Sequence, residues 1–89
     1  MILEEIQQLY NNICNRYNAL SVKVYFTSDK DLGYKGLYLE MPFRKIYLNT
    51  NYFTDRTIYH EIFHHLNPKM HDGEEFEMLL TEFIKKETK

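Results

Sequence analysis

A single cysteine, Cys14, stands among the 89 residues. That excludes an intramolecular disulfide and any zinc site built from cysteines. Tryptophan is missing, and three glycines and two prolines are the only strong punctuation. The chain carries no repeat, no linker and no low-complexity stretch, so residues 1–89 read as a single domain. Positive charge is not in surplus either: 11 Lys and Arg against 13 Asp and Glu give a net charge of −2. Apart from Lys85, Lys86 and Lys89 the basic residues are scattered, which leaves no electrostatic footprint for gripping DNA or RNA; no direct nucleic-acid binding is expected. No apolar run could span a bilayer, and Met1-Ile2-Leu3-Glu4-Glu5 lacks the basic flank and apolar stretch of a secretory signal. These absences give the expectation of an intracellular, cytoplasmic protein with no membrane partner.

What is present suffices for one core. Hydrophobic residues make up 44% of the chain, with eight tyrosines and six phenylalanines. A chain this short buries only about 60–65% of its unfolded surface, so its stability margin is thin. Leu3, Ile6, Leu9, Tyr10, Ile13 and Tyr17 recur at helical spacing up to about Asn18, and Cys14 lies beside that stripe as a small half-buried core residue. Val22, Val24 and Phe26 alternate with Lys23, Tyr25 and Thr27, the pattern of a half-buried strand. Gly36 to Met41 and Lys45 to Asn49 are two further strands, joined by a link at Pro42-Phe43-Arg44 short enough for a hairpin. Two helices follow. Ile58, Tyr59, Ile62, Phe63 and Leu66 define the buried side of the first, which Thr54 or Asp55 can cap and Asn67-Pro68 stops. Phe76, Leu79, Leu80, Phe83 and Ile84 define the second, with Asp72 and Glu75 in capping-box positions. The order is α-β-β-β-α-α, an α+β fold.

All four histidines fall between positions 60 and 71, and the first two frame His60-Glu61-Ile62-Phe63-His64. On a helix, residues four apart share a face, so both imidazoles can reach one metal ion. Glu61, turned by roughly 100°, is poorly placed to join them as a ligand but can reach a water held on that metal. The apolar residues of this helix fall on the side opposite His60 and His64. A helix laid on a sheet would therefore turn the pair toward a cleft. Two ligands and a general base from one helical turn suit zinc, Zn²⁺, and hydrolysis: the metal polarises a carbonyl and Glu61 takes the proton of the attacking water.

A catalytic zinc takes three protein ligands and keeps one open position. His71, in the loop pinned between Pro68 and Asp72, is the expected third ligand. Carboxylates of the last helix are its rivals: Glu75 or Glu77, and also Glu74 or Glu82. His65 lies at the border of the polar and apolar faces, where a supporting or solvent-exposed role is expected. Asp72 reads first as a helix cap and second as a partner of a ligand. Candidate donors to a developing oxyanion are Tyr34, Tyr47, Tyr52, Arg56 and His65.

Tyr17-Asn18, Leu20, Val24-Tyr25-Phe26, Gly36, Ile46-Tyr47-Leu48-Asn49, His60-Glu61-Ile62-Phe63-His64 and His71-Asp72-Gly73-Glu74-Glu75-Phe76 together resemble the SprT-like metallopeptidases and the related WLM and YgjP-like metal-dependent hydrolases. The likeness runs from residue 10 to about 80. It implies a small zincin core of an N-terminal helix, a three-stranded sheet, the metal helix and a C-terminal helix. It further implies zinc on His60, His64 and His71, Glu61 as base, and a peptide substrate lying along the edge strand of the sheet. Phe76 falls one residue later after His71 than the family element has it, and these 89 residues hold neither a cysteine-rich zinc ribbon nor a basic DNA-binding extension. Minimal gluzincins share the outline, and for them the third ligand would be a glutamate.

The expected function is that of a zinc-dependent peptidase acting on a peptide or unfolded protein. Two other classes fit the same residues: a non-catalytic, zinc-stabilised protein-binding module closed by a fourth ligand such as Glu75 or Glu77, and a metal-free interaction domain.

Overall fold

A computed structural model describes residues 2–89. Helix α1 (Leu3–Arg16) is followed by strands β1 (Lys23–Thr27), β2 (Gly36–Leu39) and β3 (Lys45–Asn49), then helices α2 (Asp55–Leu66) and α3 (Glu74–Glu87). This is the expected α-β-β-β-α-α order. The sheet has the order β1-β3-β2. The short link after β2 closes an antiparallel hairpin with β3, and β1 lies parallel to β3 on its other side.

Strand alternation sorts the side chains into two faces. Val24, Ile46 and Leu48 are buried and pack with Ile6, Tyr10 and Ile13 of α1, Ile58, Ile62 and Phe63 of α2, and Phe76, Leu80 and Phe83 of α3, a single core. Gly36 and Tyr38 lie opposite Leu48 and Ile46 in register, on that same face. Tyr25 and Tyr47 point to the other face and stack on each other at 5.4 Å. Of the α1 stripe Ile6, Tyr10 and Ile13 are buried, with Cys14 buried beside them, while Leu3 and Leu9 are half-buried. Tyr10 locks α1 to α2 by donating its hydroxyl to the Ile58 carbonyl at 2.7 Å. Three side chains depart from the expected pattern. Tyr17, at the end of the α1 stripe, is 37% exposed. Phe26 remains 36% exposed, leaning on Phe53 rather than entering the core, and Leu79 is 41% exposed.

The two free edges of the sheet differ. Parallel pairing sends the Lys23 N–H to Arg44 on the β3 side, so the backbone groups of Val22 and Val24 point outward. There Gln7 meets them like a strand: its amide donates to Val22 O at 2.9 Å and accepts from Val24 N at 2.9 Å. The β1 edge is thereby blunted. Unpaired strand edges template self-association, so Gln7→Ala should leave the chain folded but raise its light scattering on concentration, with a loss of about 1–2 kcal/mol in urea melts. On the β2 edge, Asn49 N donates to Lys35 O at 2.9 Å, which marks Lys35–Asn49 as a hydrogen-bonded pair. Antiparallel alternation then turns the backbone groups of Gly36 and Tyr38 outward.

Among the described residues no helix is long and apolar enough to cross a membrane.

Candidate metal centre

Helix α2 starts at a reciprocal cap. Thr54 accepts from the Thr57 N–H, and the Thr57 hydroxyl answers the Thr54 N–H at 3.1 Å. From that start the 3.6-residue repeat buries Ile58, Tyr59, Ile62 and Phe63 and brings His60 and His64 to the opposite side. Their Nε2 atoms lie 3.2 Å apart. Phe76 of α3 forms the floor beneath both rings, stacked on His64 at 4.3 Å and edge-on to His60 at 4.9 Å. Sequence reading placed Phe76 in the buried stripe of the last helix and in the family-like element after His71; its contact with both imidazoles makes it part of the site.

The third donor is Asp72. Its Oδ1 lies 2.8 Å from His64 Nε2 and 3.3 Å from His60 Nε2, and the donor atoms of the three residues lie within 4.8 Å of one another. His71, expected in this place, is exposed and outside the group. The expected cap is displaced with it. The N-cap of α3 is Gly73 and makes no side-chain bond, which frees the Asp72 carboxylate to turn toward the histidines. Neighbouring side chains on non-helical backbone diverge, so Asp72 facing in puts His71 out.

The donor set fits the ion that its chemistry suggests. Atoms bound at about 2.0–2.2 Å to one tetrahedral zinc stand roughly 3.3–3.6 Å apart, and the three separations here, 3.2, 3.3 and 2.8 Å, approach that triangle. Burial, followed by the proximity of His64, lowers the pKa of His60 despite the opposing carboxylates of Asp72 and Glu77. That favours the neutral imidazole a metal requires.

Glu61 is buried, 5% exposed, with Oε2 3.9 Å from His60 Nε2. Burial, and secondarily the negative charge of Asp72, push its carboxyl up to about 7. A proton acceptor poised near neutrality is what general-base chemistry favours. The seat for this side chain is Gly36 of the edge strand. A Cβ there would meet Glu61 Cγ and Thr57 Cγ2 at 2.8 Å each, and Glu61 Oε2 at 3.0 Å. Glu61 Cγ is a mid-chain carbon and Thr57 Cγ2 a methyl on a β-branched side chain, so neither is the far end of a flexible chain that can swing aside. Gly36→Ala should therefore cost about 1–3 kcal/mol as overpacking, read from chemical denaturation. Adding Thr57→Ser, which deletes Cγ2, should return part of that loss.

Two recesses meet over Gly36, His60 and Glu61. One, of about 290 Å³, is flanked by Lys35, Arg56 and Glu77. The other, of about 250 Å³, is flanked by Tyr38, His64 and Asp72. Tyr38 is a lining residue absent from the sequence-based candidates, although its place two residues after Gly36 on one strand face was readable from strand alternation.

The remaining candidates fall outside the donor group. His65 is buried as a brace: Nε2 donates to Leu20 O at 2.6 Å and Nδ1 accepts from the Tyr38 hydroxyl at 3.0 Å. It thus pins the edge strand to α2 without facing the donor group. Tyr47 is on the far face of the sheet, stacked with Tyr25, and cannot serve as an oxyanion donor. Tyr52 donates to Lys30 O, and Arg56 is paired with Glu77 at 2.7 Å. Among the rival third ligands, Glu74 and Glu75 are exposed on the first turn of α3, Glu82 pairs with Lys85, and Glu77 approaches His60 at Nδ1, not Nε2.

No protein-family model, curated protein or solved structure matches this chain.

Proposed function

We propose that this protein is a zinc-dependent peptidase, with His60, His64 and Asp72 as metal ligands and Glu61 as general base. The observation that carries the reading is the convergence of three donor atoms on one point, with a buried, proton-accepting carboxylate beside them in an open cleft. When bound, zinc would supply a Lewis acid and lower the pKa of a bound water from about 15.7 to about 7. Glu61 takes the proton of the attacking water and delivers it to the leaving amine. The outward backbone groups of Gly36 and Tyr38 hold an extended peptide as an added strand beside that carboxylate. His65 keeps this strand in place through Tyr38. Among the described residues the donor group counts three, the number that leaves a catalytic zinc an open position.

The test is turnover of an unfolded protein such as reduced casein by the purified chain. Cleavage that stops on adding a chelator and returns with stoichiometric zinc supports the reading. Cleavage unaffected by the chelator, or zinc binding without any cleavage, overturns it, and the second result would point to a zinc-stabilised binding module.

A further inference from the structure

Helix α3 places one more carboxylate against the site, from the side away from the donor group. Glu77 Oε2 is held by Arg56 at 2.7 Å, and Arg56 is anchored a second time by the Thr81 hydroxyl at 3.2 Å. With one oxygen so fixed, the other, Oε1, faces His60 Nδ1 at 3.9 Å. The two nitrogens of an imidazole point in divergent directions. A carboxylate at Nδ1 therefore cannot share an ion with the Nε2 that sits among His64 and Asp72. It can accept the proton that Nδ1 must carry whenever Nε2 gives its lone pair to a metal. The gap exceeds an N–H···O hydrogen bond by about 1 Å, and both side chains are partly exposed, so a small rotation of either closes it.

We infer that Glu77, aimed by Arg56, is a positioning residue that fixes the ring orientation and tautomer of His60 for metal binding, and is not a ligand. The inference rests on the zinc reading above and adds to it a specific carboxylate–histidine pair. Arg56 lies one helical turn before His60, so α2 supplies both the ligand and the cation that aims its partner across to α3.

The experiment is zinc affinity by competition with a chromophoric chelator, for the parent chain, Glu77→Ala, Glu77→Gln and Thr81→Val. Far-UV circular dichroism establishes that each variant is folded. Partners of this kind are worth about 10–100-fold in affinity, so Glu77→Ala should bind zinc at least about ten-fold more weakly. Glu77→Gln, whose amide oxygen still accepts, should recover much of the loss, and Thr81→Val, which removes the second anchor of Arg56 but leaves its pairing with Glu77, should weaken binding by less than Glu77→Ala does. In the zinc-loaded parent the His60 Nδ1 proton should be visible by NMR and slow to exchange; in Glu77→Ala it should exchange fast. Affinity within two-fold of the parent in folded Glu77→Ala overturns the inference and leaves the zinc reading standing. A parent that binds no zinc overturns both. A Gln variant as weak as the Ala variant would also count against the hydrogen-bonding role.

Discussion

Replacing Glu61 by Gln should reduce peptide hydrolysis by between about 10² and 10⁴-fold, the span that general-base catalysis supplies, while zinc affinity stays near that of the parent. The amide keeps the size and seat of the side chain beneath Gly36 but cannot accept the proton of water. The same substitution carries a second expectation, for the metal-free chain. The folded-state pKa of Glu61 is raised from 4.5 to about 7 by burial and by Asp72. The folded chain therefore holds a proton that the unfolded chain has already released, and parent stability falls as pH rises from about 4.5 through about 7. Gln carries no such penalty. Below pH 4.5 variant and parent should melt alike; above pH 7 the variant should be the more stable, by on the order of 2 kcal/mol. Calorimetry of both chains across that range checks the sign. A Glu61→Gln chain that still hydrolyses casein at the parental rate would remove Glu61 from the mechanism.

The second large effect concerns the loop before α3. Asp72→Ala should weaken zinc binding by more than about 100-fold, because it deletes a donor and not merely a supporting contact. His71→Ala should leave affinity within about two-fold. The contrast discriminates between neighbours in sequence and needs no knowledge of the substrate. If His71→Ala proves the damaging change, the loop closes on the ion in another conformation, with the imidazole in place of the carboxylate.

Local periodicity made most of the fold readable. Helix α2 announces itself by Ile58, Ile62 and the cap at Thr54, and the same 3.6-residue repeat puts His60 beside His64 without reference to the rest of the molecule. The strands were legible from their alternation. Alternation could also have removed Tyr47 from the oxyanion candidates, since Ile46 and Leu48 cannot both enter the core unless Tyr47 leaves it. The Asp72 exchange was not legible. Asp72 with Glu75 scores as a capping box, yet the helix is capped one residue later at Gly73, and a shift of one position decides which of two adjacent side chains faces the site. The seat of Glu61 was hidden for a different reason. Gly36 lies 25 residues upstream, and only sheet order, β2 outermost beside α2, brings the two together. His65 shows the same dependence: its partners, Leu20 O and Tyr38, come from distant segments.

Phe76 seats both imidazoles, and the helix that carries it is fastened at its far end to α1, where Arg16 and the Tyr17 hydroxyl both reach Glu87. The donor set is therefore assembled as α2 and α3 pack, with the end of α1 holding the far end of α3. Amide exchange in α2 and α3 should accordingly report one shared opening event, so capture of an ion would slow exchange throughout the molecule and not only in the turn that touches it.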